Sequence, residues 1–466
     1  MTFKNAVLNT TIEARTENGM KAFESTLNRN VDLFFKIGAS RGKDITREFE
    51  LAYQEDRETA LRILQWARDV RGGAGERTLF RQVAVFLEKN YPHELLDTKI
   101  MSNIPEIGRW DDLLVFEDPK VYGRALELII SALDSGSGLA AKWMPRKGPD
   151  AVKLRAALGW SPKYYRKRLV ELTKVVENQM CAKDWSDINF SHVPSLAMSR
   201  YSKAFGRNAT DLFTAYKESL KSGDPSVKVN AGAVYPYDIV KNVRNGDGGL
   251  ADEQWKALPN FIGDSMVLPM VDVSGSMTNT CFKGTTLCPL DVAVSLGLYC
   301  SDKNEGPFKD LFLTFSNAPA FVHVKGTLSQ KIRQMDTAHW DMNTNLHRAF
   351  DAILAVATAN EVAPADMPGA LLILSDMQFD ACTRYDDSAL EMVSRKYSEA
   401  GYRMPALVFW NLNASANVPV KFDQKGTALI SGFSPSIMKS VLSVDFDSFT
   451  PQSIMLNAIN IDRYAI

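Results

Sequence analysis

The sequence predicts an α + α/β chain. Residues 1–258 form an all-helical domain, and residues 259–466 form a doubly wound, mainly parallel sheet. Three observations predict this. From about Leu51 to Leu220 apolar residues recur at helical spacing, in amphipathic pieces separated by Gly and Pro. After Met266 that period gives way to short apolar runs alternating with helix-length segments, the pattern of strands joined by helical crossovers. The charge also changes sign: residues 1–260 carry 39 Lys+Arg against 34 Asp+Glu, and residues 261–466 carry 15 against 21.

In the first part, Arg57–Val70 places Leu61, Leu64 and Ala67 on one stripe, and Gly72-Gly73 stops it. Thr78–Asn90 and Val121–Leu133 repeat the pattern. Ser161-Pro162 reads as an N-cap and first helical residue, opening a helix that buries Tyr165, Leu169, Leu172, Val176 and Met180. Asn208–Leu220 is another helix. Paired helices with short connections imply a HEAT-like solenoid, although no clean repeat is present. Pro225–Leu258, rich in Gly, Asn and Pro, reads as the connection between domains. In the second part Leu311–Phe315 and Phe321–Val324 read as a strand pair, Ala370–Leu374 and Pro405–Trp410 as strands. Leu346–Ala359 and Asp387–Ala400 read as helices.

A length of 466 residues with 45% hydrophobic content supports more than one filled core. The five cysteines, Cys181, Cys281, Cys288, Cys300 and Cys382, are odd in number and scattered, which favours free thiols in a reducing compartment. No stretch approaches 18 apolar residues and the start lacks an apolar signal core. The expectation is a soluble cytoplasmic protein without membrane association, with a place in a virion also open.

The most informative stretch is Met266–Met277. An apolar run of buried-strand character ends at Asp272, and Ser274 and Ser276 follow at two-residue intervals, which in extended chain point to one side. A carboxylate and two hydroxyls past a strand's carboxyl end suit a hard, oxygen-seeking cation: Mg²⁺ first, with Mn²⁺ or Ca²⁺ as alternatives. Thr344, just before a helix, and Asp376, ending the next apolar strand, complete a five-oxygen set. Two carboxylates nearly neutralise a divalent ion, and one coordination position is left for an outside carboxylate or phosphate oxygen. The competing reading is that these residues only cap a loop and a helix.

No nucleophile with an adjacent base accompanies this set. The five histidines form no H-x-x-x-H or H-E-x-x-H pair, and Arg71–Arg77 lacks the Gly-Lys-Ser/Thr ending of a phosphate-binding loop. A non-enzymatic protein is expected. The basic half offers RNA contacts instead. Between Leu139 and Lys221 there are 16 Lys+Arg and 7 Asp+Glu. The candidates are Lys142, Arg146, Lys147, Lys163, Arg166, Lys167 and Arg168, with Tyr164 as a stacking plane. Arg68, Arg71 and Arg77 surround a glycine-rich helix-end loop that could meet an anion. The plainer readings are a solvated helix face and a tight interhelical turn.

The Asp-x-Ser-x-Ser spacing at Asp272, Ser274 and Ser276 is the signature of a metal-ion-dependent adhesion site, so Met266 onward resembles a von Willebrand factor type A (vWA) domain, a Rossmann-like fold. With Gly108–Leu113, Ala140–Pro145, Lys228–Gly232, Pro236–Val240 and Ser375–Asp380 included, the chain resembles an uncharacterised family, a domain of unknown function, of TROVE-like helical proteins with a C-terminal vWA domain. More distantly it is similar to the Ro-type RNA-binding ring proteins. That resemblance implies binding of small structured or misfolded RNA, including single-stranded ends, by the helical domain. The alternative is a protein–protein or virion-assembly module in which a partner's Asp or Glu completes the ion's coordination.

Overall fold

The computed structural model describes residues 13–232, 234–246, 250–279, 282, 286–315, 318–336, 345–380, 388–414, 417–443, 445–446 and 449–466. A short hairpin, β1 (Glu13–Arg15) and β2 (Lys21–Phe23), precedes a largely helical region running to about Lys256. Six strands follow: β3 (Val267–Asp272), β4 (Leu311–Phe315), β5 (Ala320–His323), β6 (Ala370–Ser375), β7 (Ala406–Asn411) and β8 (Thr427–Ser431). They form one mixed sheet in the order β5-β4-β3-β6-β7-β8, parallel except for the β4–β5 edge pair. β3, β6, β7 and β8 are buried along their whole length, as uninterrupted apolar runs covered on both faces must be.

In the helical region the observed helices begin where capping chemistry dictates. Ser161 accepts the Tyr164 N–H at 3.2 Å and Pro162 takes the first helical position. That helix stops at Leu172, and a separate one covers Val176–Ala182, so Met180 lies only half-buried beyond a break rather than on one continuous stripe. The helix Arg57–Arg68 ends two residues earlier than its apolar period predicts. The chain then folds back so tightly that a Cβ on Gly73 would lie 1.8 Å from the Trp66 carbonyl oxygen; only glycine permits this approach.

Packing crosses the predicted division at 258/259. The helix Arg29–Ile37 lies against β8, far from it in sequence. Carbonyls in its last turns, which have no partner within the helix, are satisfied by side chains at the sheet's carboxyl rim. Ser431 donates to the Phe34 oxygen at 2.7 Å and Asn411 to the Phe35 oxygen at 3.1 Å. At the other end of the chain Gln65 donates to the Tyr464 oxygen at 3.0 Å, and Arg463 pairs with Asp69 at 2.6 Å. One apolar core runs from Val31 through the sheet to Tyr464, and a second, smaller one gathers Val176, Phe190, Phe205 and Phe213. The stretch read as a connection holds two helices, Pro236–Arg244 and Ala251–Lys256. They are docked on the sheet region through Arg244–Asp291 (3.1 Å) and a Trp255–Asp302 hydrogen bond (2.7 Å).

Candidate cation site at the sheet rim

Strand order fixes where a ligand site belongs. β4 leads away from β3 on one side and β6 lies on the other, so the crossovers diverge between β3 and β6. In such sheets the crevice beyond the carboxyl ends of those two strands is where ligands bind. Asp272 is the last residue of β3, and Asp376 directly follows β6.

Four of the five expected oxygen donors come together here. Asp272 is fully buried; its Oδ1 accepts the Ser274 N–H at 2.9 Å and its Oδ2 accepts the Ser375 hydroxyl at 2.5 Å. The Ser274 and Ser276 hydroxyls lie 3.0 Å apart, and the Ser276 side chain also hydrogen-bonds Asp376. Asp376, 3% exposed, accepts the Gln378 N–H at 3.2 Å. Ser276 opens a short helical turn rather than continuing the extended chain, which keeps its hydroxyl beside that of Ser274. Thr344 lies outside the described residues.

The electrostatics favour a cation between the two carboxylates. Burial, and then the neighbouring Asp376 carboxylate, push Asp272 up to about 7. Burial likewise raises Asp376, against the hydrogen bond from Ser276. Among the described residues no three His, Cys, Asp or Glu side chains come together as a metal-binding group, so an ion here would be held by two carboxylates and neutral hydroxyls. The residues present fit a small divalent cation.

Sequence reasoning missed the surroundings supplied by the N-terminal segment. The β1–β2 turn is clamped to the loop after β6. Thr16 donates to the Phe379 oxygen (2.6 Å), the Glu17 N–H to Gln378 Oε1 (2.7 Å), and the Asn18 amide to the Gln378 oxygen (2.7 Å). Within that loop Met377 holds a left-handed backbone, φ +67, which a bulky side chain adopts only when its surroundings impose it. Lys43 donates to Asn413 Oδ1 (2.9 Å) and the Ala414 oxygen (2.5 Å). Burial pulls its ammonium below the usual lysine range, while Asp376 and Glu17 act in the opposite direction. One lysine thus stands near two carboxylates, Asp376 and Glu17. Gln378, two residues past Asp376, carried the only sequence signal for any of this.

The basic candidates fare unequally. Arg68 is corrected outright: it is 1% exposed and binds Asp112 through Nε (2.8 Å) and Nη2 (2.6 Å), so it faces the protein interior and meets no outside anion. Arg146 is half-buried and donates to the Ala141 and Met144 oxygens at 2.8 and 2.6 Å, bracing its own loop. Lys142 and Arg168 are half-buried; Arg71, Arg77, Lys147, Lys163, Arg166 and Lys167 are exposed. Lys167 and Arg168 both approach Glu171, at 3.8 and 3.7 Å.

The molecule is therefore a helical region joined to a six-stranded α/β sheet with a carboxylate–hydroxyl cluster at its switch point. One domain of unknown function (DUF7788) matches residues 266–455, and another (DUF2828) matches residues 16–108 and 150–265. Uncharacterized protein L728 of Acanthamoeba polyphaga mimivirus is 28% identical over 507 residues, covering 95% of this chain and 86% of that protein. These similarities support an uncharacterised family for the chain. Among the described residues no helix is long and apolar enough to cross a membrane.

Proposed function

We propose that this chain is a non-enzymatic binding protein of vWA type, which holds Mg²⁺ or a similar ion on the sheet rim and uses it to capture an acidic oxygen from a partner. The observation that carries this reading is the meeting of Asp272, Ser274, Ser276 and Asp376 at the switch point, two buried carboxylates with neutral hydroxyls between them. Thr344 is proposed as the fifth oxygen. Neutral hydroxyl ligands leave the ion electrophilic, so an incoming Asp, Glu or phosphate oxygen completes its shell.

Titrating the purified protein with Mg²⁺ and Mn²⁺ tests it. An ion that binds only the folded state at 100 times its Kd adds about 2.7 kcal/mol of stability. The thermal midpoint should rise with wild type and stay unmoved in Asp376→Ala. An undiminished rise in that variant would remove the site from consideration.

For the helical half, RNA is the ligand the resemblance implies, and one observation favours it. The helix Pro162–Leu172 exposes Lys163, Arg166 and Lys167 together with Tyr164, which is 50% exposed and packs edge-on against Trp160. Cations flanking an open aromatic plane suit a phosphate chain with unstacked bases. Affinity for single-stranded RNA is expected to fall steeply with salt, and Lys163→Ala/Lys167→Ala should lower the salt slope by one to two. Salt-independent binding would exclude this role for the helix.

A further inference from the structure

A cleft of about 530 Å³ lies between the helical region's Arg71–Gly72 loop and the C-terminal helices Met438–Leu442 and Pro451–Ile459. Its volume falls within the range of small-molecule sites, roughly 300–1,000 Å³. The polar lining is one-sided. Among the described residues it includes Arg71, Lys439 and Arg463 with the hydroxyls of Ser436 and Ser440 and the amide of Asn457, and no carboxylate.

An acidic group behind this wall is already committed. Asp69, fully buried, accepts Arg463 Nε (2.6 Å), Arg463 Nη2 (3.0 Å), the Tyr464 hydroxyl (2.9 Å) and the Arg71 N–H (3.0 Å). Arg463 is thereby neutralised and pinned. The Arg71 guanidinium is exposed, and among the described residues it has no ion-pair or hydrogen-bond partner. Lys439 is exposed as well, its ammonium 4.9 Å from the centre of the Phe261 ring, and among the described residues no carboxylate pairs with it. Among the described residues, two cations with no paired carboxylate therefore face a hydroxyl-lined cleft, one from each half of the chain. Gly72 keeps the wall close: a Cβ there would lie 3.2 Å from Asp69 Oδ2 and 3.3 Å from the Tyr464 hydroxyl.

We propose that this cleft is a binding site for a phosphate monoester, the guanidinium fork of Arg71 and the Lys439 ammonium engaging its oxygens while serine hydroxyls supply neutral hydrogen bonds. The chemistry fits a free nucleotide and the terminal phosphate of an RNA strand alike. The proposal rests on the cleft alone and not on the cation site or the basic helix Pro162–Leu172.

Calorimetry with the full-length protein in EDTA separates these sources, using inorganic phosphate, adenosine monophosphate, and a short RNA with either a 5′-phosphate or a 5′-hydroxyl. Saturable binding of the monophosphate, weakened about tenfold by Arg71→Ala and again by Lys439→Ala, is the expected result. A preference for the 5′-phosphorylated strand, lost in the double variant, would identify RNA ends as the ligand. Both side chains are exposed, so the variants should keep the wild-type thermal midpoint. No saturable binding by any of the four probes at low salt, or equal affinity in wild type and double variant, overturns the proposal. The Asp376→Ala protein must bind the monophosphate as wild type does, which separates failure here from failure of the cation site.

Discussion

Asp112→Ala is expected to destabilise the protein by about 3–5 kcal/mol, and by more than Arg68→Ala does. Asp112 is fully buried and gathers four donors. Arg68 reaches Oδ2 through two nitrogens, the Arg109 N–H reaches the same oxygen at 3.0 Å, and Arg81 Nε reaches Oδ1 at 2.6 Å. Removing the carboxylate strands a guanidinium that is 1% exposed, and an arginine side chain does not shed its proton in a protein. Removing Arg68 instead leaves Asp112 with Arg81 and the Arg109 N–H, so its charge stays compensated. The space is also closed, since a Cβ on Gly108 would lie 2.7 Å from Asp112 Oδ2 and 2.8 Å from Arg68 Nε. Urea midpoints at unchanged m-value would read the difference. Equal losses, or a larger one for Arg68→Ala, would contradict this account of the pair.

Asp272→Asn should act in opposite directions with and without a divalent ion. In EDTA two buried carboxylates face each other, and Asp272 is raised to about 7. A carboxyl raised on folding binds more protons in the native state than in the unfolded one. Its stability contribution is therefore present at low pH and lost as pH rises from about 4 through 7. Each unit between folded and unfolded values is worth about 1.4 kcal/mol, so the loss is on the order of 2–4 kcal/mol by pH 8. The amide variant lacks this term, so in EDTA its thermal midpoint should exceed wild type at pH 8 and match it near pH 4. With saturating Mg²⁺ the order at pH 8 should reverse, because only wild type keeps both charges for the ion. A wild-type midpoint in EDTA that is flat from pH 4 to 8 would show that neither burial nor the neighbouring carboxylate penalises the Asp272 charge.

The sheet was legible wherever burial made the sequence monotonous. Leu311–Phe315 and Leu346–Ala359 were bounded correctly because apolar runs and helical stripes end at polar or turn residues there. Thr427–Ser431 escaped because five residues between Gly426 and Gly432 carry too little pattern to separate a strand from a loop. The hairpin strands are three residues each and half polar, and they acquire meaning only from partners more than 350 residues away. Asp272 and Asp376 could be read because each ends an apolar strand; Lys43 and Glu17 could not, being surface-type residues in irregular chain. Arg68 is the instructive error. It falls seven residues after Leu61 and four after Leu64, on the helix's own apolar stripe, so the period itself placed it inside while its charge pulled the reading outward.

The docking of the Arg29–Ile37 helix on β8 bears on how the protein is made. Phe34 and the Ser431 that caps it are 397 residues apart. At a ribosomal pace of about 5–20 residues per second, Leu33, Phe34 and Phe35 stay without their final cover for roughly 20–80 s after they emerge. Over that interval a sticky apolar ridge on the nascent polypeptide needs temporary shelter, whether from a chaperone or from the neighbouring helix Thr46–Glu55. Completion must wait for β8, the last of the described strands, to leave the ribosome.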